Sequence, residues 1–106
     1  MDRYTGGDRA INQEILLLFE NQCQEMMARL EELTHGTADA KGWREVTHTL
    51  KGAARGIGAF GLANEAAQAE TVAPTDAHGT IEVVQRMKAR SEAVFRFIDD
   101  FVKDPA

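Results

Sequence analysis

Apolar residues recur three and four apart along nearly the whole chain, the period of a helix with one dry face. From Asp8 to Thr34 the stripe runs through Ile11, Ile15, Leu18, Phe19, Gln22/Cys23, Met26, Leu30 and Leu33. A single helix of that length would be a rod of about 40 Å, long for a small domain. Asn21 and Gln22 thin the apolar density, so a bend or break is expected near them. Asp8 can cap this helix, and the polar, glycine-bearing residues 1–7 read as a flexible tail. Thr34-His35-Gly36 looks like its end, with a glycine just past the last periodic apolar residue.

The second periodic stretch is W-R-E-V-T-H-T-L-K-G-A-A-R-G-I-G-A-F, Trp43 to Phe60, with Asp39 or Thr37 as its cap. Trp43, Val46, Leu50, Ala53, Ala54 and Ile57 share one side of the wheel. Gly56, Gly58 and Gly61 together cost a helix interior up to about 3 kcal/mol, so the helix should end around Ala59. Phe60 to Val72 is alanine-rich, with Leu62, Ala63, Ala66, Ala67 and Ala69 permitting close helix contact, and Pro74 stops it. Thr75 to Thr80 reads as a loop holding an exposed His78. A last helix, Thr80 to Lys103, has Ile81, Val84, Met87, Val94, Phe95, Ile98, Phe101 and Val102 at core spacing. Its Arg86, Lys88, Arg90 and Arg96 read as a solvated face, and Pro105 closes the chain. No strand pattern, repeat or low-complexity segment competes, so the fold class is all-α with one domain over residues 8–104.

Composition narrows the function classes. At 106 residues and 43% apolar the chain suffices for one core, and its net charge of −5 makes nucleic acid a poor partner. The lone Cys23 excludes an internal disulfide, suits a reducing compartment and sits on an apolar face, as a small buried hydrophobe would. Met26 and Met27 read as core filler. The N-terminus shows no signal-peptide pattern, and the longest apolar run, Ile15 to Phe19, is far too short for a membrane span. A cytoplasmic monomer with no membrane association is expected.

Chemistry concentrates on the wet side of the second helix. His48 falls roughly 180° from the apolar stripe, and Arg44, Lys51, Gly52 and Arg55 project within about 40° of it. A neutral imidazole nitrogen is a competent nucleophile near pH 7. Lys51 and Arg55, one and two turns on, favour an incoming anion. Gly52, at i+4, costs about 1 kcal/mol relative to alanine, and its bare backbone lets another macromolecule approach the ring. An ordinary exposed histidine is the bland reading of His48; the register of Lys51, Gly52 and Gly58 argues against it. His35 has no neighbour of ligand type.

His48-Thr-Leu-Lys51-Gly52-Ala53-Ala54, with Gly58 ten residues after the histidine, resembles the signature of histidine-containing phosphotransfer (HPt) domains of bacterial multistep phosphorelays. The resemblance implies an antiparallel up-and-down four-helix bundle with a short extra N-terminal helix. It implies that His48 accepts a phosphoryl group from a receiver-domain aspartate and passes it to another receiver. Partners would be response-regulator receivers or the receiver of a hybrid sensor kinase. Lys51 would balance phosphate charge, Arg44 and Arg55 being weaker candidates, and Gly52, Arg55, Arg44 and Gly58 would serve partner approach. Glu65, Gln68 and Glu70 are the polar groups the third helix could turn towards the second. Glu70, twenty-two residues after His48, stands where the family places the residue that orients the imidazole, with Nδ1–H towards the carboxylate and Nε2 free.

The nucleotide loop G-x-x-x-x-G-K-[ST] is missing, so no autokinase activity and no cofactor are expected. A metal or enzymatic bundle needs inward Glu-x-x-His pairs, whereas Glu45-x-x-His48 occurs once, on the wet face. Two further readings are a docking module without phosphotransfer and the phosphoacceptor domain of a chemotaxis-type kinase. With no linker or second domain visible after the last helix, a free-standing carrier is favoured over a piece of a larger kinase.

Overall fold

The computed structural model describes residues 9–35 and 39–103. Four helices follow one another: α1 (Arg9–His35), α2 (Ala40–Gly56), α3 (Phe60–Thr71) and α4 (Ala77–Lys103), with no strand among the described residues. Helix α1 packs on α2 and α4, and α3 packs on α2 and α4. The connections at 57–59 and 72–76 are short enough to force antiparallel neighbours. The all-α up-and-down bundle expected of the chain is thus what forms, 47 × 20 × 18 Å in extent.

One expectation fails in α1. The helix runs unbroken through Asn21 and Gln22, and no short helix is split off ahead of it among the described residues. Both polar residues fall on the wet side, where they interrupt nothing. The tail at 1–7, the Asp8 cap, Gly36, Thr37 and Pro105 lie outside the described residues. The dry stripe is also rotated: Asn12, Leu16, Phe19, Cys23, Met27 and Leu30 are buried, while Ile11, Ile15 and Leu18 are exposed. The run Ile15 to Phe19 is apolar all round, so its period cannot choose a face; packing against α4 does.

Helix α4 corrects two more positions. Asp76 caps it, accepting a hydrogen bond from the Gly79 N–H (3.0 Å), so the helix begins at Ala77 and His78 lies in its first turn, exposed, rather than in a loop. Val83 rather than Ile81 faces the core. Cations of its expected solvated face stay exposed but reach neighbours: Arg86 and Arg90 to Glu65 on α3 (3.0 and 3.9 Å) and Lys88 to Glu31 on α1 (3.6 Å).

Helices α2 and α3 fix the geometry that matters for function. Asp39 caps α2, accepting from the Gly42 N–H (2.9 Å). At the other end the Gly58 N–H donates to the Arg55 carbonyl (3.1 Å) and the Ala59 N–H to that of Ala54 (2.8 Å). That paired closure needs a left-handed residue, and Gly58 supplies it at φ +83°. The small Ala63, Ala66 and Ala69 let α3 come close to α2. Their register is pinned by buried Trp43, whose indole N–H donates to the Ala69 carbonyl (2.9 Å). The residue after Ala69 is Glu70, so the same bond sets where that carboxylate reaches.

Candidate functional site

His48 sits midway along α2. The helix buries Trp43, Thr47, Leu50 and Ala54, and it half-buries Val46, Ala53 and Ile57. Thr47 does not belong to the expected stripe; its hydroxyl is satisfied by donating to the Trp43 carbonyl (2.8 Å), which lets it enter the core. The imidazole is left in the open, its side chain 73% exposed. Arg44, Gly52 and Arg55 are exposed on the same side.

Behind the imidazole stands Glu70, in the last turn of α3. Its Oε1 lies 2.7 Å from Lys51 Nζ and its Oε2 lies 3.8 Å from His48 Nδ1. The first is a close ion pair with both side chains mostly buried, 20% and 28% exposed. The second exceeds hydrogen-bond length, so histidine and carboxylate are charge neighbours. Hydrogen bonding to the Lys51 ammonium holds the Glu70 carboxyl below its ordinary range; partial burial opposes this, and the Lys51 and His48 charges reinforce it.

A carboxyl whose folded value lies below its unfolded one stabilises the fold fully above the ordinary value of 4.5, and that contribution fades as pH falls through the folded value. Melting curves of the wild type and Glu70→Gln, compared from about pH 7 to about pH 3, should therefore converge on acidification. A gap independent of pH would mean that Glu70 acts through packing alone.

Not every expected site residue gathers at the imidazole. A Cβ built on Gly52 meets nothing within 4 Å, so the fold itself makes no use of the missing side chain. Gly58 lies at the α2–α3 turn and borders an apolar hollow of about 510 Å³ with Phe60, Val94 and Phe97, a hollow that does not include His48. A shallow depression at the histidine is lined by Arg44, Glu45, His48 and Glu70. Of the three polar groups on α3, Glu70 alone turns to α2: Glu65 bonds Arg86 on α4 (3.0 Å), and Gln68 is exposed.

Two features lie beyond the reach of the sequence pattern. The Trp43–Ala69 bond has no signal beyond an indole that, once buried, needs an acceptor. Ile11, Ile15 and Leu18, which the apolar period assigns to the core, are exposed. They share a stripe of α1 with Arg29, which reaches the α2 cap Asp39 at 3.4 Å, so this apolar flank runs alongside α2. Cys23 is buried, and its thiol is pushed up to about 12, by burial first and by Glu20 second, which makes it inert at neutral pH. Among the described residues no group of three or more His, Cys, Asp or Glu side chains is placed to hold a metal, and no helix is long and apolar enough to cross a membrane.

Residues 14–97 match a family model described as Hpt domain. No curated protein and no solved structure matches the chain.

Proposed function

The chain belongs to the Hpt domain family, whose members carry phosphoryl groups on histidine in phosphorelays, and on that premise we propose that His48 is the acceptor. The reading rests above all on the exposed imidazole with Glu70 behind its Nδ1 edge. The Nε2 lone pair attacks the phosphorus of a receiver's aspartyl phosphate. An N–P bond forms as the P–O bond to the aspartate breaks, and the electron pair leaves with the carboxylate. Nδ1 keeps its proton, and the positive charge that develops on the ring faces the Glu70 carboxylate. The reverse displacement loads a second receiver. Positioning and electrostatics dominate such transfers, and a bundle pinned at Trp43–Ala69 supplies the positioning. The divalent cation and its acidic ligands belong to the receiver on this reading, and the chain acts as a carrier rather than an enzyme.

The partner's approach path crosses Gly52 and Arg55 and extends to the apolar flank of α1. Leu18, 58% exposed, is its most prominent member. Leu18→Glu should raise the KM for a phosphorylated receiver roughly tenfold with little change in kcat and no loss of helicity, since a rim charge disturbs association and not the transfer. An unchanged KM would remove α1 from the interface.

The whole reading is tested by mixing the chain with a receiver carrying radiolabelled phosphate, adding a second receiver later and following the label. Label should appear on the chain and then leave it, and ATP alone should label nothing. A chain that binds the first receiver yet never takes label would be a docking module.

A further inference from the structure

Resting on the acceptor reading of His48, the geometry points to Arg44, rather than Lys51, as the side chain that binds the phosphoryl group once it is on the imidazole. Spacing alone favours Lys51, one turn after the histidine, but its ammonium is committed: Nζ lies 2.7 Å from Glu70 Oε1, with only a fifth of the side chain exposed. Drawing it to a phosphate would strip a mostly buried carboxylate of its cation and leave that carboxylate beside a new anion. Arg55 is two turns from His48 and does not border the depression over the ring.

Arg44 does border it, with Glu45, His48 and Glu70. It stands four residues before His48, the spacing at which side chains on a helix surface meet. Its guanidinium has no ion-pair or hydrogen-bond partner among the described residues. The charges around the ring pair off otherwise: Lys51 with Glu70 at 2.7 Å and Lys41 with Glu45 at 3.9 Å. Arg44 is the cation left over, and its planar fork fits two phosphoryl oxygens at once. A −1 to −2 phosphoryl group entering this depression meets Glu70 already paired with Lys51, an exposed Glu45 within 3.9 Å of Lys41, and the unspent Arg44 guanidinium.

The assignment can be tested without any receiver. Phosphoramidate phosphorylates imidazole directly: the ring nitrogen attacks phosphorus, and the P–N bond to ammonia breaks as ammonia leaves. Wild type, Arg44→Gln, Arg44→Lys and the double variant Lys51→Gln/Glu70→Gln, which removes the ammonium together with the carboxylate it neutralises, are treated in this way, and the phosphohistidine resonance is followed by phosphorus NMR against pH at low salt. A His48→Gln sample identifies signals from other histidines. Removing the cation that faces the dianion should tighten proton binding by the phosphoryl oxygens about three- to tenfold in Arg44→Gln. Arg44→Lys should restore most of the wild-type midpoint, and the double variant should move it less than Arg44→Gln does. A larger shift in the double variant, or none in Arg44→Gln, overturns the assignment. Failure to label His48 at all overturns it together with the acceptor reading. A shift in Arg44→Gln in a chain that no receiver phosphorylates would uphold Arg44 and reject the relay role.

Discussion

Replacing His48 by glutamine should abolish phosphoryl acceptance while leaving the bundle intact. The imidazole makes no hydrogen bond to the described residues, the Glu70 carboxylate lies 3.8 Å from its Nδ1, and nearly three-quarters of its side chain is in water. Removing it therefore opens no cavity and strands no buried donor, and surface changes of that kind stay within about 0.5 kcal/mol of wild type. Glutamine keeps an amide near Glu70 but has no lone pair able to displace a carboxylate from phosphorus. The expected result is background label after incubation with a phosphorylated receiver, with a circular-dichroism melt unchanged to within a few degrees. Label retained by this variant would place the acceptor elsewhere.

The second large effect is expected at Gly52, where stability and function should move in opposite directions. The position is in the interior of α2, exposed, and a Cβ there meets nothing within 4 Å. Alanine should therefore stabilise the chain by about 0.5–1 kcal/mol, a gain of several degrees in melting temperature. If the bare backbone exists so that a receiver can seat its aspartate against Nε2, a larger side chain holds the two apart. Misplacement by about 1 Å can cost two orders of magnitude in such a reaction, so Gly52→Gln should cut the transfer rate roughly a hundredfold. Small-molecule phosphorylation of the same variant should be nearly unaffected, because phosphoramidate needs no protein surface. A variant that transfers normally would mean that the glycine has no role in approach.

Much of this architecture is legible in the order of residues alone. The period of apolar positions marks four helices, and local chemistry marks several of their ends: Asp39, one of two candidate caps, for the start of α2, the glycine cluster for its finish and Pro74 for the end of α3. The exposure of His48 follows from its angle to Trp43, Leu50 and Ala54. What stays hidden depends on neighbours far away in the chain. The rotation of α1 cannot be read from Ile15 to Phe19, where every position is apolar, and it takes α4 to select Leu16 over Leu18. Spacing puts Lys51 near His48 and Glu70 at a familiar distance along the chain, but it does not reveal that the two meet at 2.7 Å. That contact is decided by how closely the alanines of α3 approach α2. Gly58 carries a double signal, and its φ of +83° shows that the turn alone is sufficient reason for the residue.

The central claim is that one nitrogen of one exposed ring takes the phosphoryl group. The most direct measurement is phosphorus–nitrogen correlation NMR on chain labelled with nitrogen-15 in histidine and phosphorylated by a receiver. Coupling from phosphorus to Nε2 of His48, with Nδ1 still protonated, is the predicted result. Coupling to Nδ1, or to His35 or His78, would contradict the account.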